Sequence, residues 1–241
     1  MIIPPARAIF RAVTNPLNDN YLVRMAWCAA AVLALGCGGG KSDAGQSPAP
    51  SPTAPLPAVG LAGQRVMLLP PTLAIADDAL GWQGHFGDRR TTLGRTDSVI
   101  GGLLTERAPE VTWVRSAELR RAVQLSAGMA GDPEQLPLAV LRGEQVVEVL
   151  DPLRGQLRTL AAVARARFGL VPAALVWVRA DTTAAARAVV QGSGAATAEL
   201  TLVLVDTRLG QVVFRTVARG AGDDPWTALA RAVRAATPGL P

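Results

Sequence analysis

ELTLVLVDTRLGQVVFRTV, the sequence from Glu199 to Val217, is the strongest structural signal in this chain. An apolar run rich in leucine and valine ends at Asp206, and a second one begins at Gln211. The link between them, Thr207-Arg208-Leu209-Gly210, is short and contains glycine. Two apolar runs joined in this way predict a β-hairpin. A hairpin this long and apolar is not stable alone, so the sequence also predicts a larger sheet covered by helices.

Alternation along the two predicted strands assigns their side chains to two faces of the sheet. In the first strand, Leu200, Leu202 and Leu204 share one face, while the valines between and after them lie on the other. The same rule groups three residues of the second strand on one face: Val212, Phe214 and Thr216.

Further strands and helices are predicted on the amino-terminal side of the hairpin and after it. The predicted strands are Arg65–Pro71, Val111–Val114 and Ala173–Val178. The predicted helices are Ser98–Arg107, Ser116–Gly128 with Ser116 as cap, Asp151–Phe168 stopped by Gly169, and a last one that starts at Asp224-Pro225. Thr72–Arg95 is predicted to be a polar loop, and Leu138–Leu150 favours a helix broken at Gly143. The order predicts one α/β domain, residues 63–241, a mixed-sheet sandwich with a carboxy-terminal hairpin and final helix.

The amino-terminal segment, residues 1–36, carries the pattern of a secretion signal. Its apolar run from Met25 to Gly36 follows Arg24 and is shorter than the roughly 20 residues that span a bilayer. The sequence Leu33-Ala34-Leu35-Gly36-Cys37 resembles the lipobox of bacterial lipoproteins, which implies cleavage before Cys37 and attachment of acyl chains, palmitate among them, to that cysteine. An ordinary secretion signal or an uncleaved anchor is the alternative. Residues 1–20 do not resemble the start of a signal peptide, so translation is expected to begin near Val23 or Met25.

Residues 37–62 are predicted to be a tether. Proline recurs at almost every second position from Pro48 to Pro57, which excludes a helix and favours an extended spacer. The only cysteines, Cys28 and Cys37, precede the domain, so the domain has no disulfide and no cysteine metal site. The chain is formally +5, and its arginines are scattered without interleaved aromatics, so no nucleic-acid surface is predicted.

Three passages resemble a family of bacterial envelope proteins. They are Val66–Pro70, a strand that ends in proline; Ala164–Val176, a helix that runs into a strand of small residues; and Leu202–Val213, a strand, an aspartate and a glycine turn. The family includes the curli-secretion lipoprotein CsgG, the lipoprotein activators of penicillin-binding proteins, and the amino-terminal domain of TolB. The resemblance implies an anticodon-binding-domain-like fold and a non-enzymatic module that docks on an envelope protein or associates with itself. Together with the lipobox, Gly38 in place of an aspartate after Cys37 resembles the outer-membrane sorting pattern of enterobacteria. We therefore expect a lipid-anchored protein on the periplasmic face of a bacterial membrane, and the outer membrane is favoured over the inner one.

No catalytic constellation is predicted. A Ser-His-Asp triad would have to use His85, the one histidine. The Gly-x-Ser-x-Gly, Walker and dinucleotide fingerprints are absent from the sequence. Asp224 is predicted to cap a helix, and the pair Asp77-Asp78 is predicted to belong to a solvated loop. We therefore expect no catalytic residue, no metal and no cofactor. A hydrolase ranks third, after the docking module and the ligand-binding domain described in the next paragraph.

The segment 77–90 is the predicted contact site, and its candidate residues are Trp82, His85, Phe86 and Arg89. Aromatic side chains in a polar, glycine-flanked loop are either recognition anchors or rings that fold down onto the sheet. The first possibility supports a membrane-tethered docking, assembly or regulatory module. The alternative function is a periplasmic domain that binds a small ligand or a metal ion with this same loop.

Overall fold

The computed structural model describes residues 58–126, 128–180 and 190–237. The predicted signal peptide, the predicted lipidation site Cys37 and most of the predicted tether lie outside the described residues. The tether's predicted end is partly described: Ala58–Leu61 is a short helix, α1, and the Leu61 side chain is buried. The backbone N–H of Gly63 donates to the carbonyl oxygen of Glu110 at 2.8 Å, which ties the entrance of the domain to a later loop.

The described residues contain one mixed sheet. Its strands are β1 (Arg65–Leu68), β2 (Ala74–Ala76), β3 (Thr112–Val114), β4 (Phe168–Arg179), β5 (Ala196–Asp206) and β6 (Gln211–Gly222). The strand order is β3-β1-β4-β5-β6, and β2 pairs with β4 beyond the end of β1. β1 pairs in parallel with β3 and with β4, and β2 also pairs in parallel with β4. β5 is antiparallel to both of its neighbours, β4 and β6.

Helices cover the sheet on both faces. They are α2 (Arg89–Arg107), α3 (Ser116–Leu125), α4 (Leu153–Ala164) and α5 (Pro225–Ala236). α2 and α5 pack on the face that carries Leu200, Leu202 and Leu204. α3 and α4 pack on the opposite face, against Val203 and Val205. This architecture confirms the predicted mixed-sheet α/β sandwich with a carboxy-terminal hairpin and a final helix.

The hairpin forms as predicted except for one bulge. Leu204 pairs with Phe214, but Val205 pairs with Val212, so Val213 is an extra residue in β6. The bulge moves Val212 to the α4 face while Phe214 stays on the α2 face. The predicted grouping of Val212 with Phe214 is therefore wrong, because simple alternation does not hold across a bulge.

The boundary between α4 and β4 also differs from the prediction. The helix ends at Ala164, and Arg165, not Gly169, takes the left-handed conformation with φ of 53°. Gly169 instead lies inside β4, where an added Cβ would sit 3.1 Å from Met67 Cε. The close approach of β1 to β4 explains this glycine. Pro172 is tolerated in the strand because the β4–β5 register shifts between Pro172 and Ala174.

Three further element boundaries are corrected. α2 begins at Arg89, within the predicted loop, because Asp88 caps it by accepting the N–H of Thr91 at 2.8 Å. The predicted loop also contains β2. Ser116 is the first residue of α3 and does not cap it, and the helix ends at Leu125. The predicted helix at 138–150 is reduced to a 3₁₀ helix at Leu138–Arg142 that stops at Gly143, as predicted for the break.

Candidate partner-binding site

β2 has one free edge. β1 and β2 run in line along the same side of β4 and are separated by Pro70 and Pro71. On its other side β1 pairs with β3, but β3 ends at Val114, before β2 is reached. Along β2, therefore, the sheet ends without a neighbouring strand in the described part of the chain.

The backbone groups along this line alternate between the two sides. The carbonyl oxygen of Leu73 accepts from Leu175, and the N–H of Asp77 donates to Trp177, so the odd-numbered residues face β4. The even-numbered residues face away. Of these, the carbonyl oxygen of Thr72 accepts from Arg89 Nη2 at 3.0 Å. Within the described residues, the N–H and C=O groups of Ala74 and Ala76 on this side have no hydrogen-bond partner.

Two clefts lie along the free edge. The first, of about 690 Å³, lies between Pro70–Thr72, the first residues of α2, and the pair Arg120 and Glu134. The second, of about 390 Å³, lies between β2 and the start of α2, with Phe86 and Trp177 in its wall. The clefts share Thr72, Arg89 and Leu93. Together they are called the β2 groove below.

Arginines dominate the charged lining of the β2 groove: Arg89, Arg90 and Arg120 stand against the single acid Glu134. Arg120 is already paired, with Glu134 at 2.9 Å and with Asp97 at 3.3 Å. Among the described residues, Arg89 and Arg90 form no ion pair. The pKa of Asp88 is lowered mainly by hydrogen bonds from the backbone N–H and the side chain of Thr91, and the charge of nearby Arg90 adds only a small contribution. The groove thus has two guanidinium groups that its own acids do not pair.

A polar network fixes the end of the groove. The hydroxyl oxygen of Ser116 lies 2.6 Å from Asp97 Oδ1 and 3.0 Å from the carbonyl oxygen of Leu68, the last residue of β1. Burial raises the pKa of Asp97 above its ordinary value, although Ser116 and Arg120 act in the opposite direction. The network holds α2, α3 and β1 together and positions Arg120 at the groove.

The four predicted contact residues differ in their burial and in whether they line the β2 groove. Trp82 is only 7% exposed and belongs to the core on the α2 face. Phe86 packs against Trp177, with 5.1 Å between ring centroids, and also lines the groove. Arg89 is exposed and lines both clefts, whereas His85 is exposed beside Trp82. Both aromatic rings thus fold down onto the domain, and contact of the four residues with a partner stays a prediction.

Three features of this surface could not be predicted from the sequence: Arg90, Arg120 and the free edge of Ala74–Ala76. Arg90 stands next to a predicted contact residue, but nothing local distinguishes it from other exposed arginines. Arg120 comes from a different helix, and no local pattern brings it to Arg89. A free edge is a property of the sheet and has no signal in a three-residue strand.

The carboxylates considered for chemistry serve as caps. Asp77 Oδ1 accepts the N–H of Ala79, and Asp224 Oδ1 accepts the N–H groups of Trp226 and Thr227. Burial alone would raise the pKa of Asp224, but these donors and nearby His85 bring it below its ordinary value. The described residues contain no cluster of three or more histidine, cysteine or acidic side chains able to hold a metal ion.

A second surface is apolar. Val147 and Leu150 are 74% and 72% exposed, and with half-exposed Val140 they lie around a cleft of about 460 Å³ in the segment 137–153. The backbone here is ordered by β6, since Val212 donates to Val147 and Val149 donates to Gly210. Exposed apolar patches of this kind are typical of interaction surfaces. Among the helices that the structure describes, none has the length and hydropathy to cross a bilayer.

Comparison with known proteins gives limited information. No protein-family model matches the sequence, and no curated protein matches it. Similar solved structures include the carboxy-terminal domain of LpoB from Salmonella enterica, at 12% identity, TM-score 0.34, and coverage of 66% of this chain and 84% of that one. LpoB from Escherichia coli, solved by NMR, has 13% identity, TM-score 0.34, and coverage of 89% and 92%. The lipoprotein GNA1162 from Neisseria meningitidis has 15% identity, TM-score 0.30, and coverage of 65% and 78%.

At these identities and TM-scores the likeness carries no argument about function. The fold class stands on the sheet topology and the two helical layers described above. The likeness to CsgG and to the TolB domain stays a resemblance of the three quoted passages.

Proposed function

We propose that this chain is a lipid-anchored protein of the bacterial envelope whose α/β domain is a non-enzymatic docking module for a partner protein. The observation that carries the proposal is the free edge of β2 beside the β2 groove. Exposed strand edges are usually short, covered or blocked, because they pair readily with another chain. Here the edge is short, but it opens into a groove that has apolar walls and unpaired arginines. A polypeptide segment of the partner is the occupant that such a surface fits.

The anchor part of the proposal rests on the sequence around Cys37. A lipobox followed by a proline-rich spacer suits a domain held away from a membrane while it meets a partner. Cys37→Ser should abolish the incorporation of labelled palmitate into the protein, and a substitution in the spacer, Ser51→Ala, should not. A Cys37→Ser protein that still incorporates palmitate, or a parent protein that incorporates none, would contradict lipid anchoring at this residue.

Photocrosslinking in the native envelope tests the docking site. A photoreactive residue is placed in the full chain at Ile75, whose side chain is 52% exposed on β2, or at Arg90 in the groove. The control position is Arg158, exposed on α4 and outside the groove. We expect a discrete adduct with an envelope protein from Ile75 and Arg90 but not from Arg158. Equal adducts at all three positions, or no adduct in the groove, would refute docking at this site. An adduct with a second copy of the chain would identify the partner as the protein itself.

A further inference from the structure

We propose that the partner enters the β2 groove as an extended, acidic segment that adds a strand to the free edge of β2. This inference rests on the proposed docking function and specifies the chemistry of the partner. It has two independent parts: the backbone edge requires a peptide in extended form, and the charges of the groove select carboxylate side chains.

The backbone part follows from the alternation along β2. Ala74 and Ala76 each point an N–H and a C=O away from β4, and these groups are unpaired within the described residues. An added strand would hydrogen-bond to these groups, which is the mode known as β-augmentation. The outward-facing groups on either side of these two residues are already occupied. Arg89 donates to the carbonyl oxygen of Thr72, and the N–H of Gly81 donates to that of Asp78. The open stretch is therefore confined to Ala74–Ala76.

The charge part follows from the lining of the groove. Glu134 and Asp97 are both satisfied by Arg120, so they do not compete for Arg89 and Arg90. A guanidinium group binds a carboxylate with two parallel hydrogen bonds, which makes arginine well suited to acidic peptides. Carboxylates on the added strand would reach Arg89 and Arg90.

The apolar part of the lining favours the same occupant. Ile75, Leu93 and Phe86 line the cleft between β2 and the start of α2, and Ile75 is half-exposed. Alternate side chains of an extended strand point to opposite sides, so a segment in which apolar and acidic residues alternate satisfies both linings. A nucleic acid or a lipid headgroup could pair with the arginines, but neither supplies the row of N–H and C=O groups that the edge requires.

Peptide binding to the purified full chain tests the proposal. The probe is a fluorescein-labelled octapeptide of alternating valine and glutamate, measured by anisotropy, and its control has lysine in place of glutamate. We expect saturable binding of the acidic peptide, no binding of the basic one, and weakening between about 50 and about 500 mM salt, since exposed ion pairs are screened. Arg90→Glu should weaken binding about tenfold, from loss of attraction and added repulsion. Arg121→Glu, on α3 outside the groove, is the matched control and should change affinity less than about twofold.

N-methylation of the probe tests strand addition separately. An added strand turns only alternate N–H groups towards β2. Methylating the valine N–H groups or the glutamate N–H groups should therefore abolish binding in one peptide and leave it largely intact in the other. Equal effects of the two methylations on affinity would refute the addition of a strand to β2. An unchanged affinity of Arg90→Glu for the acidic peptide would refute selection for carboxylates. No saturable binding up to about 1 mM peptide would refute the inference as a whole. If crosslinking at Ile75 still captures an envelope protein, docking stands and only this inference fails; if it does not, both fail.

Discussion

The carboxylate of Asp206 should be the main polar support of the β5–β6 turn. Asp206 is only 1% exposed, and its side chain accepts four hydrogen bonds. Oδ1 accepts the N–H groups of Arg208 at 3.0 Å and Leu209 at 3.1 Å, and Oδ2 accepts Nε and Nη2 of Arg167 at 3.0 and 2.9 Å. Asp206→Ala removes all four, so it should destabilise the domain without changing any residue of the β2 groove.

The magnitude follows from the two kinds of bond. Hydrogen bonds to a charged group contribute about 1.5–3 kcal/mol each, but Arg208 and Leu209 are at the surface, so water replaces part of the loss. The Arg167 side chain is 57% exposed, and its ion pair contributes at most about 1 kcal/mol. We expect Asp206→Ala to lower the free energy of unfolding by about 2–4 kcal/mol, which is about 5–15 °C in Tm for a domain of this size.

The assay is urea unfolding at equilibrium, followed by tryptophan fluorescence, with Arg208→Ala as the control. Arg208 is an exposed neighbour, so its truncation should stay within about 0.5 kcal/mol of the parent. Burial raises the pKa of Asp206, but the two N–H groups and Arg167 lower it more, so its folded-state pKa is below the ordinary value. A lowered pKa means that the stabilisation is present above the unfolded-state pKa of about 3.9 and is lost as the pH falls through the folded value. A loss below about 1 kcal/mol at neutral pH, or a difference between parent and variant that does not shrink in acid, would refute the reasoning.

Two further predictions concern Asp97 and the packing of α5. The pKa of Asp97 is raised in the folded state, so its contribution to stability is full below about pH 4 and is lost as the pH rises through the folded-state pKa. Asp97→Asn should remove this decline in stability, as measured by urea unfolding at several pH values. A pH profile that is the same in parent and variant would contradict the prediction. Gly220→Ala should destabilise by about 3 kcal/mol or more or prevent folding, because the added Cβ would meet backbone atoms of Ala228 and Ala232 in α5. A Cβ added at Gly102 in α2 meets open space, so Gly102→Ala should instead raise the free energy of unfolding by about 0.5–1 kcal/mol and Tm slightly. If the two glycine variants change Tm by the same amount in thermal unfolding, the packing of α5 on β6 is wrong.

The sequence alone determined the elements whose signals are local. The hairpin follows from two alternating apolar runs around a glycine turn, and Asp206 closes that turn as expected. The helix α5 begins after Asp224 because an aspartate before proline is a strong cap. α4 follows from its apolar stripe of Leu153, Leu157 and Leu160, which the structure buries. From these elements and their order, the mixed-sheet α/β sandwich could be predicted, because each element is indicated by residues that are close together in the sequence.

Only the tertiary structure decided the features that depend on neighbours distant in sequence. The bulge at Val213 arises from pairing with β5, and Gly169 is a strand residue because β1 approaches it closely. The sequence does not indicate where α2 begins, because the first turns of this helix are polar, bury Thr92 and Thr96, and lack an apolar stripe. The β2 groove is the strongest case. Its edge, its arginines and its aromatic wall come from separate segments, and the groove exists because β3 ends before it reaches β2, a relation that no local pattern encodes.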